Sequence, residues 1–365
     1  MQNMLSPKFL LPFFLLSVTH GVGYVSSTEQ HKSSALFVFG DSTVDPGNNN
    51  YFHTLDRSNF PPYGTDFPNH IPTGRFSNGR LATDFIAAYL GIKDFVPPYL
   101  DPTLGLEELI TGVSFASAGS GYDPRTSSTN GASDVWRQLR YFEEYKTRLE
   151  RLIGKKRTQD TIVKAIFVVS AGTNDLSGNF ALPSPTHTTT VSTYQHLLLN
   201  YCRRFIQGLV EQGARKIAIV NVPPIGCVPS IITVNSALSI PVLQHRRRPC
   251  IDSLSSIARQ YNQMLQAELK ALQSSFKENC TLAYADIYTP LDGYIRRPYE
   301  YGFEVVDRGC CGSGLLEQSY SCNPFSLVCH ERSKYVFWDA THPTETAYNL
   351  LFQALRPVID YLVNN

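Results

Sequence analysis

Five short runs of β-branched and apolar residues punctuate the chain: Ala35–Phe39 (ALFVF), Gly112–Ala116 (GVSFA), Ala165–Ser170 (AIFVVS), Lys216–Asn221 (KIAIVN) and Thr281–Ala285 (TLAYA). Runs of continuous apolar character read as strands covered on both faces. Between them the period changes to that of amphipathic helices, over Arg80–Leu90, Val135–Leu152, Tyr194–Gln212 and Ile251–Phe276. A last helix is expected from Pro343, with Ala347, Leu350, Leu351, Ala354, Leu355, Val358, Ile359 and Leu362 on one face. Proline at the first helical position is a start signal. Strand and helix in alternation predict an α/β fold around a mainly parallel, five-stranded, doubly wound sheet with right-handed crossovers. Ligands of such sheets sit at the carboxyl ends of the strands, and that rule directs the search for chemistry.

The chain has 365 residues, 42% hydrophobic and 17% charged, which excludes disorder. Lys plus Arg is 32 and Asp plus Glu is 31, so charge gives no reason to expect a nucleic-acid or anionic-membrane partner. Phe9–Val18 (FLLPFFLLSV) follows Lys8 and precedes small or polar residues from Gly21 to Ser27, the three-part pattern of a secretory signal peptide. That apolar run falls short of the roughly 20 residues needed to span a bilayer, and no later segment is apolar enough. Residues 1–27 are therefore expected as the signal, and 28–365 as one secreted, extracellular domain without a transmembrane segment.

All eight cysteines lie beyond the signal: 202, 227, 250, 280, 310, 311, 322 and 329. An even count in a secreted chain points to disulfides. One is expected between Cys227 and Cys250, and others among Cys310, Cys311, Cys322 and Cys329, with the adjacent pair bonded elsewhere. The spacing does not match a zinc cluster. Cys202 sits in a helical pattern and reads as a buried thiol. Asn279-Cys280-Thr281 is a glycosylation sequon. Lys155–Arg157 and Arg246–Arg248 read as solvated basic loops, and Gly47–Asn50 as a turn at a pocket rim.

The first run ends in Gly40-Asp41-Ser42, and the third leads to Gly172-Thr173-Asn174-Asp175 at the same rim. Far downstream, Trp338-Asp339-Ala340-Thr341-His342-Pro343 precedes the last helix. Singly, each has an ordinary role as turn, Asx motif or helix cap. Together they offer nucleophile, base and orienting acid: Asp339 bonds one imidazole nitrogen of His342, and the other takes the proton of Ser42. The G-x-S-x-G elbow of α/β-hydrolases is missing from the sequence.

The blocks FVFGDSTVDPGNNN, GRFSNGR, GVSFASAGSGYDP, SAGTNDL, NVPPIGCVP, CCGSG and YVFWDATHPTE resemble, in order, those of plant GDSL esterase/lipases of the SGNH hydrolase superfamily. The GYDP tail is similar to the extracellular-lipase subgroup. The resemblance implies a flavodoxin-like three-layer α/β/α sandwich and acyl-ester hydrolysis with no metal or cofactor. The substrate would be a small-molecule or lipid ester, cell-wall esters included. It implies Ser42 as nucleophile, Asp339 as orienting acid and His342 as base. Ser42 and Gly119 would be backbone oxyanion donors, with Gly121 the alternative to Gly119, and Asn174 the side-chain donor. Thr43 stands in place of the family's leucine, and Ala118 where the family often has glycine. The same triad also serves an acyltransferase, and the same fold a binding module.

Overall fold

Alternate residues of the first strand enter two different cores. The computed structural model describes residues 33–181, 189–236, 247–276 and 280–365. Strand β1 is Leu36–Gly40, β2 Ile166–Ser170, β3 Lys216–Val220 and β4 Thr281–Ala285, all parallel and in the order β1-β2-β3-β4. Phe37, Phe39, Phe167, Val169, Ile217 and Ile219 face one layer of helices, Val135–Ile153, Val191–Glu211 and Asp252–Phe276. Leu36, Val38, Ile166, Val168, Ala218 and Val220 face the other, built on Ala82–Tyr89 and Glu345–Asn364. The period of two along a strand thus serves two cores, which is why these runs carry no polar alternation. The result is a three-layer α/β/α arrangement. Phe37 and Phe39 are fully buried, and each such side chain contributes roughly 1.5–3 kcal/mol of transfer free energy.

Among the described residues the sheet has four strands, not five. Gly112–Ala116 lies beside β1, with Val38 N–H donating to Val113 O and Phe115 N–H to Val38 O. It closes only isolated bridges, Val38 to Ser114 and Pro98 to Ser114. Gly112 at φ +92° and the Ser114 hydroxyl, which donates to Val44 O and accepts from Ala116 N–H, break its extended course.

A second, two-stranded parallel sheet pairs β5 (Val305–Gly309) with β6 (Tyr335–Phe337). It delivers the chain to Trp338–His342. The last helix begins at Glu345, two residues later than expected, because the Thr344 hydroxyl caps it by accepting from Ala347 N–H. Pro343 instead closes an antiparallel bridge with Phe337.

Cys227–Cys250, Cys310–Cys329 and Cys311–Cys322 are bonded, and Cys202 and Cys280 are buried thiols. The adjacent cysteines 310 and 311 therefore pair apart. Lys155–Arg157 opens the helix Lys155–Lys164 and is solvated there, on a helix and not a loop. Arg248 is buried: its N–H and guanidinium donate to Asp307, and a guanidinium N–H donates to Thr233 Oγ1, so this residue is structural. Arg246, Asn279 and residues 1–27 lie outside the described residues. Among the described residues no helix is long and apolar enough to cross a membrane.

Candidate active site

β1 ends where it can only end in glycine. Gly40 has φ +138°, and a Cβ there would stand 1.9 Å from Ser170 O. Its peptide groups are clamped by Gln138, whose Oε1 accepts Gly40 N–H at 2.8 Å and whose Nε2 donates to Gly40 O at 2.9 Å. Ser120 Oγ donates to the same carbonyl. Asp41 N–H donates to Ser170 O, and Asp41 Oδ1 accepts from Thr43 N–H and Thr43 Oγ1. Thr43 Oγ1 also meets Ser170 Oγ at 3.0 Å, which keeps this residue on the sheet side of the turn. The turn is thereby fixed, and Ser42 lines a pocket of about 370 Å³ at the carboxyl end of the sheet.

His342 and Asp339 reach the same pocket from the loop after β6. His342 Nε2 lies 2.8 Å from Ser42 Oγ, and Nδ1 lies 2.8 Å from Asp339 Oδ2. Asp339 is wholly buried, His342 is 6% exposed and Ser42 is 8% exposed. A buried carboxylate needs hydrogen bonds on its lone pairs. Asp339 Oδ1 accepts from the N–H groups of Thr341 (2.8 Å) and His342 (2.7 Å), and Oδ2 accepts from Tyr63 Oη at 2.7 Å. Because Asp339 is an acceptor, the ring proton belongs on Nδ1, and the Nε2 lone pair faces the serine hydroxyl. The Phe76 ring packs on the imidazole at 4.7 Å between centroids. Burial, and then Asp339, push the Tyr63 phenol well above its ordinary range, so it remains an O–H donor.

Asn174 sits in the short helix Thr173–Leu176, which follows Gly172 at φ +110°. Its Nδ2 donates one hydrogen to Ser120 O at 2.9 Å, leaving a second for the pocket it lines. Gly119, at φ +82°, lines the pocket as well, and its carbonyl accepts from Asn130 Nδ2. Gly121 is turned elsewhere: its N–H donates to Ser127 Oγ, and a Cβ on it would meet the Asp175 carboxylate at 2.4 Å.

Behind the pocket wall lie residues that a motif search passes over. Asp175 accepts from Tyr122 N–H, Asp123 N–H and Thr126 Oγ1, and burial raises its pKa to about 6. Asp45 accepts from the N–H groups of Gly47, Asn48 and Ala118, and burial likewise raises it to about 6. Asn48 Nδ2 donates to Ser114 O and Ala116 O, while Asn49 Nδ2 donates to Asp56 O and Ala118 O. The Gly47–Asn50 run is thus the brace for the segment that carries Gly119. Asp45 and Asn48 stand beside Pro46 and Gly47 in the first block, whereas Tyr63 and Gln138 lie outside the blocks.

The family model described as GDSL-like Lipase/Acylhydrolase matches residues 36–355. GDSL esterase/lipase At5g45960 of Arabidopsis thaliana is 51% identical over 338 residues, covering 92% of this chain and 89% of the relative. GDSL esterase/lipase At2g40250 of the same plant is 43% identical over 362 residues, covering 98% and 99%. The chain belongs to the GDSL-like lipase/acylhydrolase family.

Proposed function

We propose that the protein is a secreted serine hydrolase that cleaves carboxylic esters through an acyl-enzyme on Ser42. The observation that carries this reading is the unbroken chain from Ser42 Oγ to His342 Nε2, and from His342 Nδ1 to Asp339, inside one pocket. Its relatives bear the names of esterases and lipases, in keeping with that chemistry.

Ser42 Oγ attacks the ester carbonyl as His342 Nε2 takes its proton, and Asp339 holds the imidazolium that forms. The oxyanion accepts hydrogen bonds from the N–H groups of Ser42 and Gly119 and from the Asn174 amide. Engagement of Gly121 N–H by Ser127 favours Gly119 for this role. His342 then gives its proton to the leaving alcohol. Water, deprotonated by His342, attacks the acyl-enzyme and releases the acid.

Secretion rests on the pattern in residues 1–27 and on three disulfides, which persist in oxidising compartments. Residues 28–365 are then one hydrolase domain, with the Asn279 sequon as its glycan acceptor.

The test is labelling of the purified protein by a fluorophosphonate, together with hydrolysis of p-nitrophenyl esters of graded chain length. Labelling at Ser42, lost in Ser42→Ala, is the expected result. A Ser42→Ala protein that still hydrolyses these esters refutes the reading.

A further inference from the structure

Among the described residues, one carboxylate on the pocket wall has no hydrogen-bond or ion-pair partner. Asp45, Asp175 and Asp339 each accept three or more hydrogen bonds. Asp56 also lines the pocket with Ser42 and His342, yet among the described residues no hydrogen bond or ion pair reaches its side chain. Its backbone is fixed on both sides: Asp56 O accepts from Asn49 Nδ2, Asp56 N–H donates to Thr54 Oγ1, and the next N–H, of Arg57, donates to Ser319 Oγ. The backbone that carries the carboxylate is therefore fixed beside the pocket. Its Oδ2 stands 2.8 Å from where a side chain on Gly119 would begin. It flanks the wall to which the oxyanion role was assigned.

A half-buried anion beside a site of developing negative charge is unfavourable for catalysis unless something pairs with it. Burial raises its pKa, opposed by the charge on His342 when that ring is protonated. An aliphatic group laid against Asp56 would strip its water and return nothing. A hydroxyl would donate to it.

We propose that Asp56 is a specificity-determining residue that selects esters of polyhydroxylated alcohols by accepting a hydrogen bond from a substrate hydroxyl. This rests on the ester-hydrolase reading of the same pocket. The neighbouring groups fit a hydroxyl, which both donates and accepts, better than a cation, which only donates. Asn130 commits Nδ2 to Gly119 O and keeps Oδ1 as an acceptor. Gln318 accepts from Thr341 Oγ1 through Oε1 and keeps Nε2 as a donor. Val228, Ile231 and Val234 also line the pocket, and their apolar side chains suit the acyl chain. The pocket thus offers unlike surfaces to the two arms of one ester.

The test compares acetate release from glycerol monoacetate and from propyl acetate, which differ by two hydroxyls on the same three-carbon chain, with acetylcholine as a cationic third substrate. The native enzyme is expected to prefer glycerol monoacetate over propyl acetate in kcat/KM by about tenfold or more. Asp56→Leu should shrink that ratio by about tenfold, because a site built to bond a hydroxyl discriminates against the analogue lacking it. Asp56→Asn, whose carboxamide oxygen still accepts, should retain part of the preference. A ratio that Asp56→Leu leaves unmoved overturns the assignment. So does an equal fall on both esters with a displaced pH profile, which makes Asp56 an electrostatic neighbour of His342 only. Preference for acetylcholine overturns the hydroxyl assignment. Failure of the underlying reading looks different: no fluorophosphonate labelling and no turnover of any of the three.

Discussion

Asp339 is held by more than its contact with His342. Two backbone N–H groups and the phenol of Tyr63, 276 residues away in sequence, fix both of its oxygens. Asp339→Asn keeps the shape but presents an amide where Nδ1–H needs an acceptor, so turnover should fall by up to about 10⁴. Ser42→Ala should fall further, by up to about 10⁶, with folding intact. Tyr63→Phe separates orientation from chemistry. It deletes the bond to Asp339 Oδ2 and leaves Ser319 N–H without its acceptor. Stability should drop by about 1–3 kcal/mol. The expected kinetic signature is a fall in kcat of about tenfold with KM little changed. An unchanged kcat would mean that the two backbone N–H groups orient Asp339 unaided. Asn174→Ala should cost on the order of 10²–10³ in kcat. A change confined to KM would make Asn174 a positioning residue instead of an oxyanion donor.

At the scale of elements, the helix Val135–Ile153 does more than cover the sheet. It turns Gln138 inward to bracket both peptide groups of Gly40, 98 residues earlier. Gln138→Leu would leave a buried N–H without its acceptor and weaken the hold on a buried carbonyl. We expect a loss of roughly 2–4 kcal/mol and a lower kcat from a loosened Ser42 turn, read by thermal unfolding beside turnover. Normal kcat in a destabilised protein would show that Ser170 and Ser120 suffice to shape that turn. The long helices were legible to within a few residues, because their apolar stripes repeat at 3.6. Four strands were legible as apolar runs. The run Gly112–Ala116 is not a strand, because Gly112 and Ser114 redirect a backbone whose composition alone reads as extended. The start of the last helix was misplaced because Pro343 offers a start signal while the Thr344 hydroxyl makes the cap. Ser42, His342 and Asp339 converge as the spacing expected. The braces around them left no local trace, since each acts across a long separation in sequence.

Across the molecule, among the described residues, burial makes poorer acids of four aspartates, Asp41, Asp45, Asp56 and Asp175. Asp45 and Asp175 are both raised to about 6 from the ordinary carboxylate range, chiefly by burial. In the unfolded chain they titrate near ordinary values, so between those limits the native state binds more protons. Their contribution to stability is full below about pH 4 and is lost as pH rises through about 6. At about 1.4 kcal/mol per unit, each group disfavours the folded state by on the order of 2–3 kcal/mol above pH 6. Asp66 and Asp123 act in the opposite sense. The arginine partners of Asp66 (Arg332) and Asp123 (Arg125) outweigh burial and lower both groups, so their stabilisation disappears only as pH falls below the ordinary carboxylate range. The two windows meet near pH 4, and the stability optimum should lie there. Thermal unfolding followed from pH 7.5 to pH 4 should show Tm rising on acidification, then falling below about pH 4. Asp175→Asn removes one of these titrations and should make the slope between pH 5 and 7.5 shallower, even though one backbone N–H then faces an amide and the variant is less stable at pH 5. A Tm that is flat or falls from pH 7.5 to 5 in the native protein would mean that Asp45 and Asp175 remain ionised at the bases of their loops. The braces behind Gly119 would then be ionic in every condition where the enzyme works.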